Sequence, residues 1–122
     1  MRTKRNRLTN EAFQAIAARF QLLADPSRLR ILHTLADGER NVGEIITHTG
    51  LEQANVSKHL ALLLKEGILS RRKEGLFAYY RIVDPTIFKL CTVVCKGLEK
   101  KNIRSSNMLD RYRNLELFGG RA

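Results

Sequence analysis

The feature that most constrains this chain is a pair of short helical patterns separated only by the three residues TGL. The first pattern reads NVGEIITH and begins at Asn41, with apolar residues repeating every three or four positions. The second reads EQANVSKHLALLLKEG and begins at Glu52, with an apolar stripe that includes Val56, Leu60 and Leu63. Two amphipathic helices joined by so tight a turn are typical of a helix-turn-helix.

Gly67 is well placed to end the second helix. The sequence predicts a hairpin directly after it. Residues 68–73 and 77–82 resemble two strands around a three-residue connection, residues 74–76, that contains a glycine. The return strand alternates, so one set of its side chains can face the core: Ala78, Tyr80 and Ile82. We therefore expect a mainly α fold with a small β-hairpin, arranged as a winged helix-turn-helix.

Polar and basic residues occupy the front of the second helix. Counting about 100° per residue, we expect Asn55, Lys58 and His59 to project away from the apolar stripe, with Gln53 and Ser57 beside them. In a helix-turn-helix this part of the second helix enters the major groove, where such side chains can bond base edges or phosphates. The alternative is a solvated polar face on an ordinary core helix.

Three consecutive basic residues, Arg71, Arg72 and Lys73, lie next to the tip of the predicted hairpin. Folding explains them poorly because like charges repel one another. Contact with phosphates or with the minor groove of DNA explains them better. The alternative is a charged strand edge that discourages aggregation.

The composition fits a single domain that binds a polyanion. With 122 residues, 43% of them hydrophobic, the chain can bury one core. Its net charge of +10 and pI near 10.2 favour nucleic acid, although a ribosomal protein or a membrane-surface binder would share that charge. The sequence has no apolar run near the roughly 20 residues that span a bilayer. Two cysteines without a secretory segment indicate a reducing interior, so we expect a cytoplasmic protein with no membrane partner.

The sequence divides into three parts: residues 1–9, residues 10–103 and residues 104–122. The first is a basic, disordered arm that either follows DNA or only improves solubility. The second is the winged helix-turn-helix domain with its dimerisation helices. The third is a C-terminal short helix or tail.

Dimerisation is expected through the terminal helices, because each carries an apolar stripe. A chain this small has few other apolar faces that could cover those two stripes. The stripe of the first helix comprises Phe13, Ile16, Ala17, Phe20 and Leu23, and that of the last comprises Ile87, Leu90, Cys91, Val94 and Leu98. A two-fold dimer would set two recognition helices roughly 34 Å apart, one turn of DNA. Packing only within the protomer is the alternative.

Five segments together resemble the ArsR/SmtB family of bacterial and archaeal repressors. They are LLADPSRLRIL at residues 22–32, VGEI at 42–45, QANVSKHL at 53–60, EG at 74–75 and YYR at 79–81. The resemblance extends from about residue 13 to residue 98. It implies a winged-helix homodimer that represses transcription on a double-stranded DNA operator and leaves when an inducer binds.

The resemblance does not identify the inducer. Members of the family bind metals through cysteines on the helix before the recognition helix, or through carboxylates and histidines on the last helix. Here the first position reads VGEII, and Thr86, Gly97 and Lys100 accompany Asp84 on the last helix, so neither set of ligands is present. These positions therefore predict no metal cofactor.

Cys91 and Cys95 are the remaining candidates for sensing, because they lie four residues apart on one helix face. Three roles stay open. The thiols can act as a redox switch, as a thiolate site for a metal or metalloid, or only as small apolar groups in the packing.

No constellation suggests an enzyme, because the sequence has no recognisable nucleophile pair, no phosphate-binding glycine loop and no paired carboxylates. The closer alternative to a specific repressor is a protein that coats the chromosome without sequence preference. A specific repressor should prefer its operator by about 10³-fold or more, whereas coating depends on phosphate contacts alone.

Overall fold

The computed structural model describes residues 7–101, which form five helices and a small antiparallel sheet. In chain order the elements are α1 (Asn10–Leu23), α2 (Pro26–Thr34), β1 (Arg40–Asn41), α3 (Val42–Thr49), α4 (Gln53–Lys65), β2 (Leu69–Glu74), β3 (Phe77–Ile82) and α5 (Pro85–Lys101). This is the predicted winged helix-turn-helix, with α3 and α4 as the helix pair and β2 and β3 as the wing. The first six residues of the basic arm and the whole C-terminal segment lie outside the described residues.

The helix pair is fixed by local signals at both ends of α3. Asn41 accepts a hydrogen bond from the Glu44 N–H at 2.9 Å, and the Glu44 carboxylate accepts one from the Asn41 N–H at 2.9 Å, which is a complete capping box. Gly50 ends the helix at φ 74°, a left-handed conformation that a residue without Cβ adopts at little cost. These two ends set the turn that leads into α4.

The apolar stripes predicted for the helix pair are confirmed. Ile45 of α3 is fully buried. In α4, the side chains of Val56, Leu60 and Leu63 are at most 1% exposed. They pack with α2 and the start of β2 around one core. The second helix of the pair is therefore held by one face, and its other face is left for solvent or a ligand.

The sheet differs from the predicted hairpin in two ways. The connection is two residues long rather than three, since Glu74 pairs with Phe77 across a turn in which Gly75 has φ 63°. A third strand was also missed: β1 pairs with β3, which gives the order β1-β3-β2. Its two residues have too little pattern of their own and are extended because β3 offers a free edge. The inward set on β3 is confirmed, with Tyr80 buried.

Helices α2 and α5 each begin at a proline that follows an aspartate, and this pair of residues predicts a helix start. Asp25 caps α2 and accepts hydrogen bonds from the N–H groups of Ser27 and Arg28 at 2.8 and 3.1 Å, ahead of Pro26 in the first turn. Asp84 does the same for α5 through the Thr86 N–H at 3.0 Å. Helix α2 stops at Thr34, and Leu35 is its C-cap. No helix within residues 7–101 is long and apolar enough to cross a bilayer.

Candidate DNA-binding surface

The first two turns of α4 present a continuous polar surface. Four side chains, called here the polar face of α4, are exposed: Gln53, Asn55, Ser57 and Lys58. Val56 and Leu60 of the same helix are buried and anchor it to the core. The structure therefore brings together four of the five residues proposed from the helical wheel.

His59, the fifth residue, is not part of this surface. Its side chain is 5% exposed, and the expectation that it projects outward is wrong. His59 follows Val56 by three residues and precedes Leu63 by four, so helix geometry places it about 60° from the centre of the buried stripe. The spacing in the sequence already contained this signal.

The partner of His59 comes from α2. A guanidinium nitrogen of Arg28, Nη1, lies 3.3 Å from His59 Nδ1. The same guanidinium donates to two carbonyl oxygens at the end of α1, from Nε to Leu22 at 2.8 Å and from Nη2 to Gln21 at 3.1 Å. Arg28 thus joins three helices, and an Asp25 carboxylate oxygen lies 3.9 Å from the same nitrogen, Nη1. Burial is the main cause that lowers the pKa of His59.

The wing divides its basic residues between two tasks. Arg71 and Lys73 are two positions apart on β2, so they share a face of the strand, and both are exposed. Arg72 points the other way and is held by two carboxylates, Glu39 at 2.7 Å and Glu74 at 2.7 Å. The three basic residues therefore do not form one uniform charged tip.

Arg72 departs furthest from the prediction that all three basic residues of the wing contact DNA, since contacts within the fold explain its presence. Its guanidinium also stacks 4.8 Å from the centre of the Tyr79 ring, so it ties β2 to β3 and to the segment before β1. The hydrogen bond from Arg72 is the main cause that lowers the pKa of Glu39. Glu39 lies 33 residues away in sequence, so local sequence patterns could not predict that it pairs with Arg72.

Both cysteines of α5 are free thiols and border an open apolar groove between α1, α2 and α5. The groove has a volume of about 540 Å³ and is lined by Phe20, Leu23, Ala24, Leu29, His33, Leu90, Cys91, Val94, Cys95 and Leu98. Burial raises the pKa of Cys91 to about 11 and also raises the pKa of Cys95. Within a single protomer both groups are therefore protonated thiols at neutral pH. Among residues 7–101, no three His, Cys, Asp or Glu side chains are grouped to hold a metal ion.

The terminal helices leave a large apolar area uncovered. Five side chains, called here the terminal apolar surface, are each at least 40% exposed: Phe13, Ile16, Phe20, Val94 and Leu98. Exposed apolar patches of this kind on a small domain mark an interaction surface. Of the stripe predicted for α5, only Ile87 and Cys91 are buried within the protomer.

Comparison with known proteins identifies the family. The model of the bacterial regulatory proteins of the arsR family matches residues 25–71, which include α2, the helix pair and the start of the wing. An uncharacterised HTH-type transcriptional regulator of Mycobacterium tuberculosis, Rv0081, is 38% identical over 82 residues, 66% of this chain and 72% of the relative. Its crystal structure superposes with a TM-score of 0.68, at 34% identity, over 75% of this chain and 93% of that one.

Two further relatives bear on regulation and assembly. A probable mercury resistance operon repressor of Streptomyces lividans is 39% identical over 71 residues, 58% of this chain and 57% of the relative. The homodimeric winged helix-turn-helix DNA-binding domain of Mb0332 from Mycobacterium bovis, a possible ArsR-family regulator, has a TM-score of 0.65 at 31% identity. That match covers 83% of this chain and 98% of the domain. This chain belongs to the ArsR family of bacterial regulatory proteins and is a DNA-binding transcriptional regulator, not an enzyme.

Proposed function

We propose that the protein is a homodimeric repressor that binds a specific DNA operator through the polar face of α4 and the wing. The observation that carries this proposal is the separation of surfaces on α4. One side of the helix is buried completely, whereas Gln53, Asn55, Ser57 and Lys58 are exposed together on its first two turns. A helix anchored in this way can enter the major groove without disturbing the core.

Each exposed group has a role that its chemistry supports. The amides of Gln53 and Asn55 suit the paired donor and acceptor of an adenine edge, and Lys58 suits guanine or phosphate. Ser57 suits a phosphate or a base. The first turn also has free backbone N–H groups, because Glu52 makes no side-chain capping bond.

The wing contributes charge rather than sequence discrimination. Arg71 and Lys73 are exposed on one face of β2, which supports our assignment of both to the phosphate backbone beside the groove that α4 would occupy. Arg72 has a structural task in the same strand, because its guanidinium is shared between Glu39 and Glu74. We therefore remove Arg72 and His59 from the proposed contacts and retain the other six residues.

The terminal apolar surface supports a homodimer. It is formed by the same two helices for which the sequence predicted dimerisation, and the related Mb0332 domain is homodimeric. A second copy would cover these side chains and pair two recognition helices for a two-fold operator. Since operators are reached inside the cell, we also propose a cytoplasmic protein.

Regulation by an inducer is proposed at the cysteines of α5, with oxidation of the thiols as the first candidate chemistry. The supporting observation is that Cys91 and Cys95 border the groove beside the terminal apolar surface, where a modification would disturb dimer packing. A metal or metalloid held by thiolates is the second candidate, because a related protein is a probable mercury resistance operon repressor. The raised pKa of Cys91 opposes both, since only the thiolate reacts or ligates.

The test is a fluorescence anisotropy titration of reduced protein against its own promoter DNA and against a scrambled duplex at fixed salt. A preference of about 10³-fold or more supports the specific repressor, whereas equal affinities would establish a coating protein. Repeating the titration with an oxidant or Hg²⁺, for the wild type and for a Cys91→Ser, Cys95→Ser variant, tests the inducer. Loss of binding in the wild type alone would assign sensing to the thiols. Unchanged binding in both proteins would leave them a packing role.

A further inference from the structure

The contact between α2 and α4 contains an ionisable pair that the DNA-binding surface does not use, with His59 buried and Arg28 half-buried. Arg28 and His59 are separated by 31 residues in sequence and 3.3 Å in space. His59 stands on the recognition helix directly after Lys58, and its ring faces inward, away from the groove that α4 would occupy. Any change at this ring therefore acts on the placement of α4 rather than on a base or phosphate.

The short approach between Arg28 and His59 bears on the protonation state of the imidazole. A guanidinium has only donors, so Arg28 can donate to His59 Nδ1 only when that nitrogen carries no proton. This hydrogen bond therefore requires a neutral imidazole with its proton on Nε2. A protonated ring would point an N–H of its own at the guanidinium and would lose this contact.

The charges around His59 also favour the neutral ring. Arg28 of α2 and Lys58 of α4 both disfavour a positive imidazole, and Asp25 at the start of α2 favours one. Burial outweighs Asp25, and the pKa of His59 is lowered. Arg28 and Asp25 are themselves held, by the α1 carbonyls and by the backbone of α2, so neither is free to turn away from the ring.

We propose that the Arg28–His59 contact is a positioning contact that fixes α4 relative to α2 and α1, and that full operator affinity requires a neutral His59. The proposal rests on the proposed function, namely that the polar face of α4 contacts DNA. Because Arg28 also binds the carbonyls of Gln21 and Leu22, the contact joins the end of α1 to the recognition helix. A shift of α1 in a dimer is thereby transmitted to the polar face of α4.

Two substitutions separate this role from simple packing. His59→Asn places an amide oxygen near the position of Nδ1, so it keeps an acceptor for Arg28 and cannot titrate. His59→Leu fills the site but removes the acceptor. We expect His59→Leu to lower operator affinity by about tenfold and His59→Asn to stay within about threefold of the wild type at neutral pH.

The pH profile is the measurement that a merely structural role would not change. Because the pKa of His59 is lowered from its ordinary value of 6.5, wild-type affinity for the operator should fall only below about pH 6.5, relative to His59→Asn measured in parallel. Dividing by the His59→Asn values cancels the general effect of acid on the charge of the rest of the protein and on the DNA. Circular dichroism and sedimentation at each pH verify that both proteins are folded and equally associated.

A double-mutant cycle tests whether the two residues act together. Arg28→Lys keeps the charge but cannot hold both α1 and His59, so it should weaken operator binding. Combined with His59→Leu it should cost little more than either change alone, because the same contact has already been lost. Additive losses would overturn the proposal.

The two proposals fail in distinguishable ways. Equal wild-type affinity for operator and scrambled DNA would overturn the proposed function, and this inference with it. Selective wild-type binding with an affinity and pH profile shared by wild type, His59→Asn and His59→Leu would overturn the inference alone. Selective binding in which only His59→Leu is weak at neutral pH, and in which the wild type loses affinity on acidification relative to both variants, would establish it.

Discussion

The helix-turn-helix half of the molecule and its terminal helices differ in where their apolar side chains go. In α4, Leu60 and Leu63 are at most 1% exposed, because elements of the same protomer cover them. In α1, Phe13 and Phe20 are 56% and 52% exposed although they lie on the apolar stripe of an amphipathic helix. The first half is complete as a single copy, whereas the second has an apolar face with no cover.

This difference implies that folding and assembly are separable. The helix pair and wing derive their stability from contacts within the chain, and the terminal helices derive part of theirs from a partner. Local contacts still attach α1 to the rest of the protomer, including the ion pair between Arg19 and Asp84 at 2.9 Å. Substitutions in the two halves should therefore affect different measurements.

The largest effect is expected inside the helix-turn-helix. Leu60→Ala removes a fully packed side chain from the recognition helix and should lower the free energy of unfolding by about 3 kcal/mol. Urea denaturation monitored by circular dichroism measures it. Leu98→Ala, on the exposed stripe of α5, is the matched control and should change monomer stability far less. Equal losses in both variants would abolish the distinction between the two halves.

A charge on the terminal apolar surface should break assembly and spare the fold. Phe20→Glu places a carboxylate where we expect apolar contact with a second copy, so the dimer should weaken about 100-fold. Sedimentation equilibrium measures the association, and the circular dichroism spectrum should stay unchanged. Gln14→Glu adds the same charge on another exposed face of α1. If that control weakens the dimer as much, net charge rather than the apolar surface is responsible.

A smaller effect is expected on the exposed side of the helix-turn-helix, where base and phosphate contacts should differ. Asn55→Ala should reduce the ratio of operator to scrambled affinity by about tenfold. Lys73→Ala should weaken both affinities alike and lower the slope of log affinity against log salt by about 1. Anisotropy titrations at several salt concentrations separate the two. The same change in selectivity from both variants would contradict this division of roles.

The parts of the fold that were predictable depend on local patterns. The apolar stripe of α4 follows from helical spacing, and the starts of α2 and α5 follow from an aspartate before a proline. The alternation in β3 correctly placed Tyr80 in the core. Each of these signals lies within a few residues of the element that it specifies.

The features that escaped prediction depend on distant partners. Arg72 looked available to DNA because Glu39, which binds it, belongs to the segment before β1. Strand β1 is extended only because β3 offers it an edge. His59 was an error of a different kind, since its spacing from Val56 and Leu63 already placed it beside the buried stripe.

The smallest predicted effect concerns Asp84, which joins the two terminal helices. Its carboxylate accepts hydrogen bonds from the Thr86 hydroxyl at 2.6 Å and the Thr86 N–H at 3.0 Å, and it pairs with Arg19. Asp84→Ala should lower the free energy of unfolding by about 1 kcal/mol, the usual cost of losing a helix cap. Asp84→Asn keeps an acceptor for the helix and should cost less. Urea denaturation at neutral pH measures both.

Acid should reveal the charge-dependent part of this contact. Hydrogen bonds from Thr86, followed by the charge of Arg19, lower the pKa of Asp84 below its ordinary value of 3.8. The unfolded chain therefore binds this proton more readily, so the stabilisation is present above about pH 4 and is lost as the pH falls through the folded pKa. Because Asp84→Asn cannot titrate, the stability difference between wild type and this variant should shrink on acidification. If the difference in free energy of unfolding between the two proteins stays constant from pH 7 to about pH 2.5, the carboxylate acts only as a neutral cap. The charge of Arg19 would then contribute nothing to holding α1 against α5.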